Sequence, residues 1–176
     1  HVAWDLPSSA LVVITESADG FHAAVASAFA AKGIATKTVA VADATPEWFQ
    51  RLDLRERPLA IVHCASRASL SAAEMSDPAQ WQARQQQGTK AVFQLLQAAQ
   101  SQLKAGGRFL AVMETGGMFG RDLTTAAAMP AEAGVVGFVK VLSLEWPQCS
   151  LKAVDLDPAE DHAAQAAHVL RELSMI

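Results

Sequence analysis

LVVITESADGFHAAVASAFAAKG, residues 11–33, decides how the chain is read. Leu11 to Thr15 runs without the polar alternation of a half-exposed strand, which marks a parallel strand covered on both faces. In the segment that follows, Phe21, Val25, Ala28 and Phe29 recur at helical spacing, and Gly33 supplies the left-handed residue that ends helices. A strand, a short turn and a helix of about four turns is how a mononucleotide-binding half begins. Where such a turn grips a pyrophosphate it carries glycines, so that backbone N–H groups at the helix start can approach the phosphate. Here only Gly20 remains.

Outward from this stretch, strands and helices alternate. The sequence before it holds one anchor, Trp4, and a Pro7-Ser8-Ser9 turn. After it a strand is predicted over Lys37 to Val41, then a short helix within Asp43 to Leu54, with Thr45 as N-cap and Pro46 at the first helical position. Leu59 to Cys64 (LAIVHC) reads as a second inner strand, and Gln80 to Leu103 as one long helix, polar in its first half. Gly106-Gly107 leads into a strand from Arg108 to Met113, and Glu114-Thr115-Gly116-Gly117 forms the loop at its carboxyl end. Ala131 to Trp146 reads as a helix stopped by Pro147, Ser150 to Leu156 as the last strand, and Pro158 to Leu173 as the last helix. The expected fold is α/β: a truncated, Rossmann-like, doubly wound parallel sheet of about five strands. There is no internal repeat or linker, so residues 1–176 are read as a single domain, and the missing initiator Met suggests a fragment of a larger multidomain chain.

Composition narrows the function. A net charge of −4 and a pI near 5.7, with no basic cluster, lack the electrostatic footprint of a nucleic-acid binder or of a protein held on an anionic membrane. No apolar run approaches the roughly 18 residues of a membrane span. Two widely separated cysteines, Cys64 and Cys149, make no disulfide framework and fit a cytoplasmic setting.

Three phrases carry a family resemblance over nearly the whole chain. LVVITESADGFHAAVASAFAAKG resembles the first strand, T-G-x-x-x-G-x-G turn and helix of short-chain dehydrogenase/reductases; AIVHCAS stands where N-N-A-G ends their fourth strand; AGVVGFVKVLSLEW resembles the helix after their catalytic Tyr and Lys. A Trp ahead of the first strand, a shortened region between the second and fourth strands, and LSLEWP followed by LKAVDLDP are similar to the structural subdomain of polyketide-synthase and polyunsaturated-fatty-acid-synthase ketoreductases. That resemblance implies a cofactor-free copy of the reductase fold. It would brace a catalytic copy that reduces β-ketoacyl chains, delivered by an acyl carrier protein, with NADPH.

The departures point the same way. In the vestigial turn, Thr15 and Gly20 agree with the family pattern, while Glu16 and His22 replace glycines. A carboxylate at Glu16 would repel a phosphate at the helix start, and a side chain at His22 would block close backbone approach. His63 and Cys64 replace the two Asn of N-N-A-G; the catalytic Ser falls on Glu114, with Thr115 adjacent; the Tyr, Lys and Asn fall near Ala128, Glu132 and Gly88. The chain contains no Tyr, and Lys140 lies two helical turns beyond the family's Lys position. Ketone reduction in this family needs a phenol acidified by a neighbouring Lys to protonate the developing alkoxide. The expectation is therefore no catalytic residue, no cofactor-binding residue and no metal ligand in this chain, and NADPH only in a partner domain.

Other chemistry is conceivable. Glu16 and Glu114 at strand ends could form an acid/base pair. His63-Cys64 with His22 could be imagined as metal ligands, although neighbours on a strand point to opposite faces. Cys64 could be a nucleophile but lacks a base, and reads as a small buried apolar residue. The apolar stripe Val92, Phe93, Leu96 and Ala99, with Gly134, Gly137 and Phe138, carries more apolar surface than one sheet face consumes. Contact with a catalytic reductase subdomain is expected there. The alternatives are a pseudoenzyme that docks or dimerises through these helices, and an independent reductase with altered chemistry.

Overall fold

A computed structural model describes residues 6–55, 57–67, 70–71, 76–117, 119, 128–129 and 133–175. Five parallel strands form one sheet in the order β2-β1-β3-β5-β7: β1 Leu11–Thr15, β2 Ala35–Val39, β3 Leu59–His63, β5 Arg108–Met113 and β7 Ser150–Asp155. The register sets Ile14 beside Val62, and Val62 beside Leu110, so the ends of β1, β3 and β5 meet at one edge. A two-stranded antiparallel ribbon, β4 Leu70–Ser71 with β6 Ala128–Met129, ties the segment after β3 to the segment after β5.

Side-chain alternation along β1, β3 and β5 feeds two cores. Leu11, Val13, Leu59, Ile61, Phe109 and Ala111 face α2 (Pro46–Gln50), α4 (Thr89–Ala98) and α6 (Ala133–Glu145). Val12, Ile14, Ala60, Val62, Leu110 and Val112 face α1 (Phe21–Ala30) and α7 (His162–Ser174). Both faces of the inner strands are fully buried, which is why they read as continuous apolar runs. The doubly wound parallel sheet expected from the sequence is the fold observed.

Several boundaries differ. The predicted long helix from 80 to 103 is three: α3 Pro78–Gln87, α4, and α5 Gln100–Leu103. Gly88 breaks it with a non-helical backbone (φ −87°, ψ −113°), and α3 begins earlier because Asp77 caps Ala79 and Gln80 ahead of Pro78. α3 buries no residue, whereas α4 buries Ala91, Val92, Leu95 and Leu96, so the two halves are held by different forces. The last helix starts at His162, not Pro158, because residues 157–160 form a turn on Asp157 and Asp161 is the side-chain cap. β2 lies two residues before the predicted 37–41, and of the stretch 43–54 only Pro46–Gln50 is α-helical, with Thr45 capping Trp48 as expected. Gly33 ends α1 at φ 71°. Trp4 lies outside the described residues.

Of the predicted contact stripe, Val92, Leu96 and Ala99 face the core. Gly134 is consumed internally, since a Cβ there would stand 2.7 Å from Thr89 Oγ1 on α4, while one at Gly137 would meet open space. What remains outward on α4 and α6 is Phe93, half exposed and in ring contact with Phe138 at 5.9 Å, together with Val141 and Leu144.

Candidate functional site

The carboxyl edge of the sheet is where such folds bind ligands, and a cavity of about 530 Å³ opens there. The residues after β1 and β2, the loop after β3, and α3 and α4 line it, among them Glu16, Asp19, Val41, Cys64, Arg67 and Arg84.

The turn between β1 and α1 is closed on itself. The Ser17 N–H donates to His22 Nδ1 (3.1 Å), the His22 N–H to Ser17 Oγ (3.2 Å), the Gly20 N–H to the Ser17 carbonyl (3.2 Å) and the Phe21 N–H to Asp19 Oδ1 (3.1 Å). These amides surround the start of α1, where a phosphate would be received. His22 therefore acts by filling the turn with its ring, beyond the blocked approach expected from its side chain. Gly20 provides the left-handed residue (φ 78°) ahead of α1. Glu16 is exposed and lines the cavity; Asp19, which the sequence reading passed over, is the carboxylate on the helix start.

Arg67 crosses the cleft. It is 3% exposed, its guanidinium lies 3.8 Å from the Phe21 ring centroid, and Nη2 reaches Asp19 Oδ2 at 3.3 Å and Glu114 Oε1 at 2.5 Å. Glu114 Oε1 also accepts from Gln165 Nε2 (2.8 Å), and Gln165 donates to the Asp157 carbonyl (2.7 Å). One cation thus joins the first turn, the loop after β3, the end of β5 and α7. Burial pushes the Asp19 carboxyl up, but Ser17, the Phe21 N–H, Arg67 and His162 outweigh it and hold it below the usual carboxylate range.

Glu16 and Glu114 are accordingly not a matched pair: Glu114 is spent on Arg67 and Gln165. Thr115 gives its N–H and hydroxyl to the Asp155 carboxylate (2.5 and 2.7 Å), which also accepts the Phe119 N–H. Ala128 pairs with Ser71 in the ribbon, Gly88 is the α3–α4 junction, Lys140 is exposed on α6, and Glu132 lies outside the described residues. Cys64 is fully buried, and burial drives its thiol far above the ordinary range. Among the described residues no group of three His, Cys, Asp or Glu side chains converges for a metal, and no helix is long and apolar enough to cross a membrane.

His63 is buried between Thr15 Oγ1 (3.2 Å) and Ser66 Oγ (2.8 Å), rather than turned towards His22. Burial, with Arg84 nearby, pushes its pKa down to about 3 from 6.5. Above about 6.5 both folded and unfolded chains leave it neutral; below, the unfolded chain takes up a proton that the folded chain refuses. Stability should therefore fall as pH drops from 6.5 towards 3, by about 2 kcal/mol between pH 6.5 and 5 from this group alone. Urea unfolding at pH 7 and pH 5 should show this loss, and His63→Gln should remove that part of it.

No family model matches the chain, and no curated protein does. Solved structures do. A short-chain dehydrogenase/reductase from Serratia marcescens superposes with a TM-score of 0.69 at 15% identity, covering 94% of this chain and 89% of that one. The fold is that of a short-chain dehydrogenase/reductase. A Shigella flexneri short-chain dehydrogenase gives 0.67 at 18% identity over 97% and 93% of the two chains. A small-chain dehydrogenase in complex with NADPH gives 0.62 at 14%, over 92% and 80%. Within this fold, the first turn spends its amides on its own side chains and on the Ser17 carbonyl. Arg67 with its two carboxylates stands beside the α1 N-terminus, so these residues do not fit a dinucleotide pyrophosphate.

Proposed function

We propose that this chain is a non-catalytic subdomain of short-chain-reductase fold that braces a catalytic, NADPH-dependent β-ketoacyl reductase copy within a cytoplasmic polyketide or polyunsaturated-fatty-acid synthase. The observation that carries the reading is the Arg67 bridge from Asp19 to Glu114, which puts an internal ion cluster beside the turn that receives phosphate in dinucleotide-binding folds. The absence of Tyr removes the family's proton donor, and Glu114, at its Ser position, serves the cluster. The phrases LSLEWP and LKAVDLDP point to the synthase context. Phe93, Gly137, Phe138, Val141 and Leu144 offer the catalytic copy an apolar face, and an acyl carrier protein would meet the assembly through that copy.

The test is to read the parent gene beyond residue 176 and co-express the unit encoded there. A reductase-like unit with an intact glycine-rich turn and a Tyr should co-elute with this chain, and Phe93→Glu or Leu144→Lys should separate the two without unfolding either. Absence of such a unit overturns the reading. Self-association through the same face would then support the second reading, a pseudoenzyme docking or dimerisation module, which the half-exposed Phe93 also favours. An independent reductase with altered chemistry would need Glu114, Thr115 or Cys64 for the reaction, and the first two are engaged and the third is buried.

A further inference from the structure

We propose that His63, held as the neutral tautomer with its proton on Nε2, is a latch that fixes the loop 64–67 and so sets Arg67 across the cleft. Counting hydrogens gives the tautomer. Thr15 Oγ1 accepts the Cys64 N–H (2.8 Å) and the Ala65 N–H (3.2 Å), which uses both of its lone pairs. Its single O–H must then point to its remaining neighbour, His63 Nδ1 at 3.2 Å, and Nδ1 can only accept. The ring proton therefore sits on Nε2 and is donated to Ser66 Oγ at 2.8 Å.

The direction of this chain matters because Thr15, His63 and Ser66 are buried and cannot borrow water. Thr15 ends β1 and His63 ends β3, so the two anchors are fixed by the sheet. From them the loop is held at the Cys64 and Ala65 amides, at the Ser66 hydroxyl, at the Ser66 carbonyl by Arg84 Nη2 (3.3 Å), and by the Arg67 N–H on the Cys64 carbonyl (3.3 Å). Among the described residues, the groups facing the ring are Thr15 from β1, Ser66 from the loop, Phe109 from β5 in a stacked contact, and the Arg84 charge from α3. None is a carboxylate that would welcome a second ring proton. A proton on Nδ1 would confront the Thr15 O–H, which cannot turn because its lone pairs are taken. The latch then opens and Arg67 loses its anchorage.

This inference rests on Arg67 closing the cleft, yet its first test does not use that closure. Long-range proton–nitrogen NMR of the unaltered chain, labelled at histidine, should show His63 as the Nε2–H form from about pH 7.5 to about pH 5. An Nδ1–H form or a doubly protonated ring in that window overturns the proposal. The second test uses Cys64 as a reporter in a Cys149→Ala background. Thr15→Val should raise its alkylation rate by iodoacetamide by about tenfold, the effect of losing one hydrogen bond of order 1.4 kcal/mol, and Thr15→Ser should restore protection. A folded Thr15→Val chain that alkylates no faster than its parent contradicts the latch; should that variant not fold, the NMR result decides. Tight NADPH binding alongside an Nε2–H His63 and a protected Cys64 would overturn the closure alone.

Discussion

Arg67→Met should lower the stability of the chain by about 3 kcal/mol, the low end of what breaking a buried ion pair costs. The low end applies because the partners are only partly buried, with Asp19 39% and Glu114 20% exposed. The loss comes from what is left behind: Glu114 keeps its charge and Gln165 but loses its cation, and Asp19 loses one of the charges that hold it ionised. The cluster is not optimised for stability, since Arg67 Nε and Nη1 and Gln165 Oε1 are buried without a hydrogen-bond partner among the described residues. The double variant Arg67→Met/Glu114→Gln should therefore recover more than half of the loss, because it removes the more buried carboxylate with the cation and leaves only the more exposed Asp19 without its partner. Urea unfolding of the two variants measures this, and equal losses would show that Arg67 acts through its stacking on Phe21 instead.

The architecture was legible because it rests on local signals. Leu11–Thr15 and Leu59–His63 are covered on both faces and so appear as unbroken apolar runs, and Gly33 and Thr45-Pro46 mark helix ends by backbone chemistry that needs no distant partner. The cleft was legible only in part. Glu16 and His22 stood out against a glycine pattern, but the carboxylate that occupies the helix start is Asp19, and its partner Arg67 lies 48 residues away in sequence. No periodicity joins such positions; the parallel pairing of β1 with β3 does. His63 with Cys64 and His22 makes no ligand set by sequence, and the sheet instead sets His63 beside Thr15. The break at Gly88 went unseen because one glycine within a helical pattern is tolerated often enough to be passed over. Asp77 and Asp161 show the complementary lesson: an Asp at the right spacing locates a helix start better than the apolar periodicity that follows it.

The second large effect concerns the cofactor. Dinucleotide-binding folds receive a pyrophosphate at the turn after the first strand, and in this chain that turn has committed the Ser17, Gly20, Phe21 and His22 amides internally. A dinucleotide would have to displace the His22 ring, Ser17 and Asp19 from those amides and pass the Arg67 cluster. The charge-assisted contact of the Phe21 N–H with Asp19 is worth roughly 1.5–3 kcal/mol and the three neutral ones roughly 0.5–1.5 kcal/mol each, so together they remove much of a micromolar affinity of about −8 kcal/mol. The most direct measurement is a titration of the purified chain with NADPH at low salt, followed by nucleotide fluorescence and by heat of binding. No saturation is expected up to millimolar nucleotide, an affinity of about −4 kcal/mol or weaker. Saturation at micromolar NADPH would contradict this, because the first turn and Arg67 would then have to open on the ligand and the chain would again be a candidate enzyme.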